Sequence, residues 1–250
     1  MKISFIIPAY NEEHVLGECV ESVLAAVAHT PCEHEILVVN NASTDKTRSI
    51  AASYPKVRVV DEGRKGLVWA RKAGYEASTG QLVANIDADT RMPRMWLPAV
   101  LERFEKDPSL LALSGPYIYY DVGLHIRAIT KLFYIVGYAV TTLQRLFFKT
   151  GSMLQGGNFV LRREAIELIG GFDTRIEFYG EDVDLGRRIS AIGKVVWTFN
   201  LPMYSSGRRL SAEGIISTGV VYAMNFLWIF LFRKPFTNSH IDVRVPEQPV

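Results

Sequence analysis

Cysteine is scarce in this sequence. Cys19 and Cys32 are its two cysteines among 250 residues, and they form no C-x-x-C pair. No cluster of cysteine and histidine has the spacing of a zinc site, so a structural zinc ion is not expected. Two scattered thiols fit a reducing, cytosolic compartment better than a disulfide framework. A chain of this length can bury a core that needs neither kind of staple.

The sequence also has no large excess of charge of one sign, because 28 lysines and arginines are balanced by 26 aspartates and glutamates. The net charge of +2 is too small to indicate nucleic-acid binding on its own. Apolar residues make up 48% and charged residues 22%, which argues against a disordered chain. There is no internal repeat or low-complexity tract, and the apolar run at residues 3–8 is too short for a signal peptide. We therefore expect one large α/β domain or two small ones.

Strand and helix patterns alternate in the first half of the chain. The predicted strands are residues 3–7, 35–39, 57–60 and 82–86, and the segments with helical spacing between them are 12–28, 45–53 and 67–77. This order predicts a mostly parallel sheet with right-handed crossovers. Such sheets bind ligands at the carboxyl ends of their strands, which marks the loops at residues 8–13, 40–45 and 87–90.

The second half contains two long apolar segments. After a further strand predicted at residues 110–120, residues 124–149 form the first, with basic residues at both ends. Mixed α/β character returns at residues 156–193. Residues 215–232 form an uncharged second segment, and the tail at 233–250 is polar with three prolines. We expect that tail to wrap loosely over the surface.

Asp87, Ala88 and Asp89 directly follow the strand predicted at residues 82–86. Alternate residues at a strand end can place two carboxylates near one point. Hard oxygen ligands of this kind suit Mg²⁺ or Mn²⁺, which in turn bridge phosphate oxygens. The ordinary alternative is a solvated turn, since aspartate is common in loops.

Three acids open a predicted helix at Glu181, Asp182 and Asp184. The helix dipole favours negative charge at this end, so capping explains one of them. Three acids beside Gly180 and two aromatic residues also make a candidate general base, which could take a proton from a hydroxyl nucleophile. Two other groups of residues have ordinary explanations as helix caps or flexible turns: Ser43, Thr44 and Asp45, and the paired glycines at residues 156–157 and 170–171.

Together these segments resemble glycosyltransferase family 2, whose members have the GT-A fold. The resemblance covers about residues 3–195, and the matching segments occur in the family's order: 6–12, 38–45, 66–74, 87–89, 156–159 and 181–182. It implies a Rossmann-like α/β domain over residues 1–210, with a nucleotide-sugar-binding half at 1–120 and an acceptor-side half at 121–210 that includes the apolar helix at 124–149. Residues 211–250 would add an apolar helix and an extended tail.

The resemblance also implies a metal-dependent, inverting hexosyltransferase. Its nucleotide-sugar donor, most often UDP-linked in this family, would be bound by Pro8, Tyr10, Glu12, Asn41, Arg71, Asp87, Ala88 and Asp89. Asp89, with Asp87, would hold Mn²⁺ or Mg²⁺. Asp182 would be the catalytic base, with Glu181 as its supporting neighbour. The acceptor would be a saccharide or lipid-linked molecule, in polysaccharide or glycolipid biosynthesis.

The sequence departs from the family's commoner pattern in two places. Asn40 and Asn41 replace a pair of aspartates, which removes charge near the expected base and ribose and weakens the case for uridine. No histidine follows the 181–182 helix to complete a metal shell, and Arg208 and Arg209 stand there instead. One of these arginines is expected to neutralise the donor diphosphate. A solvated basic loop is the alternative.

The two apolar segments raise the question of a membrane. An apolar helix with flanking basic residues is typical of a membrane interface, and residues 124–149 have this pattern. Residues 215–232 are just long enough to span, but Arg233 and Lys234 would then lie outside the cell, against the positive-inside rule. We expect residues 215–232 to form a helix that lies on the membrane or packs on the domain, and we expect the protein to be peripheral to the inner face of the cytoplasmic membrane. A soluble core helix or a homo-oligomer contact is the alternative.

Two other functions fit part of the pattern. A sugar nucleotidyltransferase also uses paired carboxylates and a metal, but it usually carries a glycine-rich basic loop after the first strand. Here residues 8–13 are acidic and lack glycine. A non-catalytic protein that only binds nucleotide-sugars would not need Asp87, Asp89 and Asp182 together.

Overall fold

A seven-stranded sheet is the centre of the fold in a computed structural model, which describes residues 1–148, 153–176, 178–237 and 242–244. Its strands lie in the order β3-β2-β1-β4-β8-β6-β9, and their bounds are β1 Ile3–Ala9, β2 His34–Asn41, β3 Val57–Glu62, β4 Leu82–Ile86, β6 Leu110–Ser114, β8 Asn158–Arg162 and β9 Lys194–Trp197. Strand β8 runs antiparallel to both of its neighbours, and the other pairs are parallel. The predicted mostly parallel α/β sheet is confirmed.

Helices cover both faces of this sheet. Their bounds are α1 Leu16–His29, α2 Thr47–Ala52, α3 Leu67–Ala77, α4 Trp96–Lys106, α5 Leu124–Phe148, α6 Arg163–Leu168, α7 Glu181–Ser190, α8 Arg208–Glu213 and α9 Ile215–Phe232. Alternate residues of β1 face opposite sides, so Phe5 packs with α1 and α4 while Ile6 packs with α3, α6 and α7. The central strands are therefore buried on both faces.

The predicted helices at 12–28 and 45–53 begin later than expected, at Leu16 and Thr47. The residues before them connect the first two strand-end loops instead. The backbone N–H of Glu12 donates to Thr47 Oγ1 at 2.7 Å, and that of Glu13 donates to Asp45 Oδ2 at 3.1 Å. Asp45 also accepts from the Thr47 N–H at 2.9 Å, as a residue before a helix does.

The single strand predicted at residues 110–120 is wrong. Strand β6 ends at Ser114, and Tyr117–Tyr119 forms β7 in a separate three-stranded sheet with β5 (Thr90–Arg91) and β10 (Met203–Ser205). Gly115 lies so close to the carbonyl of Leu201 that a Cβ would collide with it. Pro116 has no N–H to donate to a sheet. The chain therefore leaves the main sheet here and turns towards the carboxyl ends of β1 and β4.

Helices α5 and α9 are present where the two apolar segments were predicted, although Lys149 and the side chain of Arg145 lie outside the described residues. By length and composition, α5 is the one described helix that could cross a membrane, and only 6% of the stretch Leu124–Leu143 is buried. Helix α9 packs on the domain, because Gly180 before α7 lies directly against the side chain of Ile229.

Candidate active site

A cavity of about 550 Å³ opens at the carboxyl ends of β1 and β4. It is lined by most of the residues that the sequence predicted for the site: Pro8, Glu12, Arg71, Asp87, Ala88, Asp89, Glu181, Asp182, Arg208 and Arg209. Parallel strands place their following loops at one edge, so residues far apart in sequence meet here. Tyr10 and Asn41 do not line this cavity.

Arg71 lies beneath the cavity and joins two of its acids. Its side chain is 0% exposed, Nη2 lies 3.2 Å from Asp87 Oδ1, and Nη1 donates to Glu181 Oε1. Burial raises the pKa of Glu181 to about 7, although the Arg71 charge opposes that rise. Arg71 thus makes its hydrogen bonds to carboxylates, where the resemblance had implied an approach to the donor diphosphate. These two contacts hold Asp87 and Glu181 in place.

Asp87 has a second partner that the sequence did not suggest. Tyr117 Oη lies 2.9 Å from Asp87 Oδ2 and also contacts the carbonyl of Gly156. Gly157 follows with φ +70°, and a Cβ there would collide with both Asp87 and Tyr117. Gly157, the second glycine of the pair at 156–157, is therefore required by close packing around Asp87. Gly115 and Pro116 are a sequence signal for the turn that brings Tyr117 to this position.

Asp182 is held by two backbone N–H groups at the start of α7. Its Oδ2 accepts from Gly156 at 2.8 Å and its Oδ1 accepts from Val183 at 2.8 Å. Gly180 precedes the helix with φ +86°, and the three acids lie in the first turn as predicted. Burial raises the pKa of Asp182, with opposing contributions from Arg71 and from the two N–H groups. A fixed carboxylate with a raised pKa that faces a cavity has the properties of a general base.

Glu12 and Asp89 form the opposite side of the site with two arginines. Arg208 binds Glu12 through both terminal nitrogens, at 2.8 and 2.6 Å, and its Nη2 lies 3.0 Å from Asp89 Oδ2. Arg244 Nε donates to Glu12 Oε1 at 2.9 Å. Burial raises the pKa of Asp89 to about 7, against the lowering effect of Arg208. Arg209, the other arginine predicted for this role, pairs with Glu213 at 2.7 Å, and the contact of either arginine with the diphosphate stays a prediction.

Asp87 and Asp89 could supply only some of the ligands of a hard divalent ion. The described residues contain no group of three or more acids, histidines or cysteines placed to hold a metal. Mg²⁺, however, is often bound by one or two carboxylates together with substrate phosphates. Both aspartates line the cavity and have only partly exposed side chains, 32% for Asp87 and 15% for Asp89. The donor set therefore fits an ion whose remaining ligands come from a bound diphosphate.

Asn41 and Tyr10 lie beside the cavity in different surroundings. Asn41 Nδ2 donates to the carbonyls of Glu62 and Arg64 at 3.2 and 2.6 Å, and its Oδ1 accepts from Gly66. Its amide thus holds the loop after β3, and its contact with a base stays a prediction. Tyr10 accepts a hydrogen bond from Lys65 Nζ at 2.8 Å.

Comparison with known proteins identifies the family of this chain. The family model described as glycosyl transferase family 2 matches residues 4–170. The chain belongs to glycosyl transferase family 2. It is 32% identical over 192 residues to the glycosyltransferase Mb0553 of Mycobacterium bovis, which covers 76% of this chain and 80% of that protein. It is also 30% identical over 112 residues to the dodecaprenyl-phosphate galacturonate synthase of Rhizobium johnstonii, covering 42% of this chain.

The chain matches about a third of the length of the latter relative, 33%. Among solved structures, TarS of S. aureus superposes with a TM-score of 0.63 at 18% identity, over 93% of this chain and 73% of that one. The mannosyltransferase PcManGT of Pyrobaculum calidifontis, in complex with GDP-Man and Mn²⁺, gives 0.63 at 21% identity, over 86% and 62%. These neighbours establish the GT-A fold for this family 2 glycosyltransferase.

Proposed function

We propose that this glycosyltransferase moves a sugar, with inversion, from a nucleotide-diphosphate donor to a lipid-linked or saccharide acceptor in polysaccharide or glycolipid assembly. The observation that carries the proposal is that Asp87, Asp89 and Asp182 line one cavity at the ligand-binding edge of the sheet. The donor diphosphate is placed near Asp89, and the acceptor near Asp182. A UDP-sugar is the first candidate donor, and the GDP-Man complex of PcManGT makes a GDP-sugar the second.

Asp182 is the proposed base. Its carboxylate removes the proton from the acceptor hydroxyl as that oxygen attacks the anomeric carbon, and the bond from this carbon to the diphosphate oxygen breaks. The nucleoside diphosphate leaves with the bonding electron pair, and the proton remains on Asp182. One base placed opposite the leaving group is sufficient for inversion.

Asp89 and Asp87 are the proposed protein ligands of Mn²⁺ or Mg²⁺. When bound, the ion supplies positive charge that stabilises the departing diphosphate. Arg71 holds Asp87 in position beneath the cavity, through the 3.2 Å contact with its Oδ1. Glu181 supports the site indirectly, since its carboxylate holds Arg71.

The acceptor side of the cavity is apolar. Its lining includes Phe133, Val136 and Val140 of α5 and Tyr222 and Phe226 of α9, and the same cavity reaches Asp182. A hydrocarbon chain between the two helices would carry its head group to the base. The relative named dodecaprenyl-phosphate galacturonate synthase supports an acceptor of this lipid-linked class.

The exposed faces of both helices support attachment to a membrane. Leu132 is 59% exposed and Leu143 53% on α5, while Ile216 is 73% and Val220 54% exposed on α9. Exposed apolar surface of this extent marks an interaction surface. Because α5 and α9 line the catalytic cavity, we place them in the interface of the inner leaflet, peripheral to the cytoplasmic membrane, and not across it.

Thermal shift with a panel of nucleotides tests the donor. UDP, GDP and their sugar derivatives should raise the unfolding midpoint, and more so with Mn²⁺, since a ligand that binds only the folded state stabilises it. If no nucleoside diphosphate shifts the midpoint with or without Mn²⁺, the proposal fails. Transfer from the best donor is then measured with a polyprenyl-linked saccharide and with a soluble oligosaccharide, which both carry the hydroxyl that the base acts on, and this separates the two acceptor classes.

A further inference from the structure

The described part of the C-terminal segment, residues 242–244, packs into the donor side of the active site. Val243 and Arg244 line the same cavity as Asp87 and Asp89. Arg244 Nε donates to Glu12 Oε1 at 2.9 Å, across 232 residues of sequence. The prediction that the tail wraps loosely over the surface is therefore wrong for these residues.

Arg244 is fixed in place by Asp242 and Glu12. The backbone N–H of Arg244 donates to Asp242 Oδ1 at 3.2 Å, and Asp242 in turn lies 3.7 Å from Lys65 Nζ. Lys65 sits 4.0 Å from the centre of the Tyr10 ring, and the Arg244 guanidinium lies 5.8 Å from the same ring. These contacts attach residues 242–244 to the loops that follow β1 and β3.

Two guanidinium groups share one carboxylate on this side of the site. Glu12 is 4% exposed and pairs with both Arg208 and Arg244. Arg208 also binds Asp89, and the charge of Arg244 lowers the pKa of Asp89 as well. Within the described residues, the terminal nitrogens of Arg244 have one ion pair, the 3.8 Å contact of Nη1 with Asp242. Arg244 therefore presents N–H groups beside the carboxylates that are expected to meet the diphosphate.

A pair of arginines anchored on one acid suits a ligand with two adjacent phosphates. Guanidinium groups bind phosphate oxygens through paired N–H donors in a fixed plane, and they stay charged at any physiological pH. Arg208 and Arg244 both pair with Glu12, so two positive groups lie side by side at the edge of the cavity where the diphosphate is proposed to bind.

We propose that Arg244 is a donor-binding residue, and that with Arg208 it forms a two-arginine cradle for the diphosphate of the nucleotide-sugar. This inference rests on the proposed glycosyltransferase function. It makes residues 242–244 part of the active site.

The test is binding of UDP and GDP to the full chain by titration calorimetry, with and without Mn²⁺. Arg244→Ala should weaken binding of the preferred nucleoside diphosphate about ten- to a hundredfold, because charge-assisted hydrogen bonds to phosphate are lost. Binding of the matching nucleoside, which has no phosphate, should not change. Arg244→Lys should restore part of the affinity. Arg103→Ala, which removes an exposed arginine on α4, is the matched control and should leave the affinity unchanged.

Three outcomes separate the possibilities. If wild-type protein binds the diphosphate and Arg244→Ala binds it equally well, Arg244 does not contact the donor and the inference is overturned. A lower unfolding midpoint with unchanged affinity overturns it as well, since Arg244 then only balances Glu12. If the wild-type protein binds no nucleoside diphosphate, the proposed function itself fails.

Discussion

The side chain of Asp182 accepts a hydrogen bond from the backbone N–H of Gly156 at 2.8 Å, which links the start of α7 to the glycine turn before β8. The neighbouring carbonyl of Gly156 contacts Tyr117, whose hydroxyl lies 2.9 Å from Asp87. The backbone N–H of Gly156 therefore helps to position the proposed base, and its carbonyl helps to position the tyrosine that contacts the proposed metal ligand. A change in that turn should disturb both.

Asp182→Asn should reduce sugar transfer by at least about a hundredfold, the lower range for removal of a general base. Asparagine keeps the shape and can accept one of the two hydrogen bonds from Gly156 and Val183, but it cannot accept the proton. Donor affinity, measured by calorimetry, should stay within about twofold, since the loss is in the chemical step. Glu164→Gln, which changes an exposed side chain on α6, is the control. Full activity in Asp182→Asn would refute the assignment of the base.

Gly157→Ala should impair both stability and donor binding. Its φ of +70° already strains an alanine, and the added Cβ would collide with Asp87 and Tyr117. Gly170→Ala is a close control, because its φ is +76° and nothing lies within 4 Å. Both variants should lose about 1–2 kcal/mol to backbone strain, but only Gly157→Ala should lose metal-dependent donor affinity. Equal donor affinity in the two variants would show that the turn does not position Asp87.

Arg71→Met should destabilise the protein strongly at about pH 8, by about 3–5 kcal/mol, because it leaves buried carboxylates without their cation. The loss should be smaller near pH 5. The pKa of Glu181 is raised to about 7 even with Arg71 present, so that carboxyl is neutral in acid and needs no partner. Arg48→Met breaks an exposed pair with Asp61, 58% and 52% exposed, and should change stability little. Urea unfolding at both pH values measures this, and a pH-independent loss would contradict it.

The stability of the metal-free protein should fall as the pH rises through about 7. Burial raises the pKa of Asp89 from 3.8 to about 7, so the stability from this group is complete below the unfolded value and is lost as the pH passes the folded one. Asp89→Asn should make that fall shallower, whereas Glu105→Gln on exposed α4 should not. Mn²⁺ competes with the proton on Asp89, so it should raise the unfolding midpoint more at about pH 8 than at about pH 6. An equal increase at both would argue against Asp89 as a ligand.

Charges placed on α5 should release the protein from membranes. Leu132→Glu combined with Leu143→Glu introduces two acids at positions 59% and 53% exposed, and binding to vesicles of phosphatidylglycerol should drop at least about tenfold. Leu168→Glu is the control, since that residue is 71% exposed on α6. Sedimentation with vesicles measures the bound fraction. Wild-type protein that stays in solution at low salt without detergent would refute membrane association.

Much of the sheet was predictable because its strands are short, apolar and separated by helical spacing. Strands β1 to β4 lie within about two residues of their predicted bounds, and α3 matches residues 67–77. Helix starts were less predictable, since Glu12 and Asp45 bond across loops instead of continuing a helix. The break in the strand predicted at 110–120 falls at Gly115 and Pro116, a pair typical of turns, but the close contact of Gly115 with Leu201 is not visible in the sequence.

The acids of the site were predictable because each follows a strand or opens a helix. Their partners were not. Tyr117 reaches Asp87 across 30 residues, and Arg71 reaches Glu181 across 110. Arg71 carries the right charge for a diphosphate, and only its complete burial reveals that its hydrogen bonds are made to carboxylates. Residues 242–244 were judged by composition, which cannot reveal that a polar segment returns to a site.

The position of Glu12 has a consequence for synthesis of the chain. Its two arginine partners lie 196 and 232 residues further along, so the donor side of the cavity is completed only after nearly all of the described sequence has been made. Strands β1 to β4 can pair much earlier, since their contacts are closer in sequence. A nascent chain on the ribosome would therefore have its central sheet well before it could hold a donor, which would delay catalysis until Arg244 has emerged.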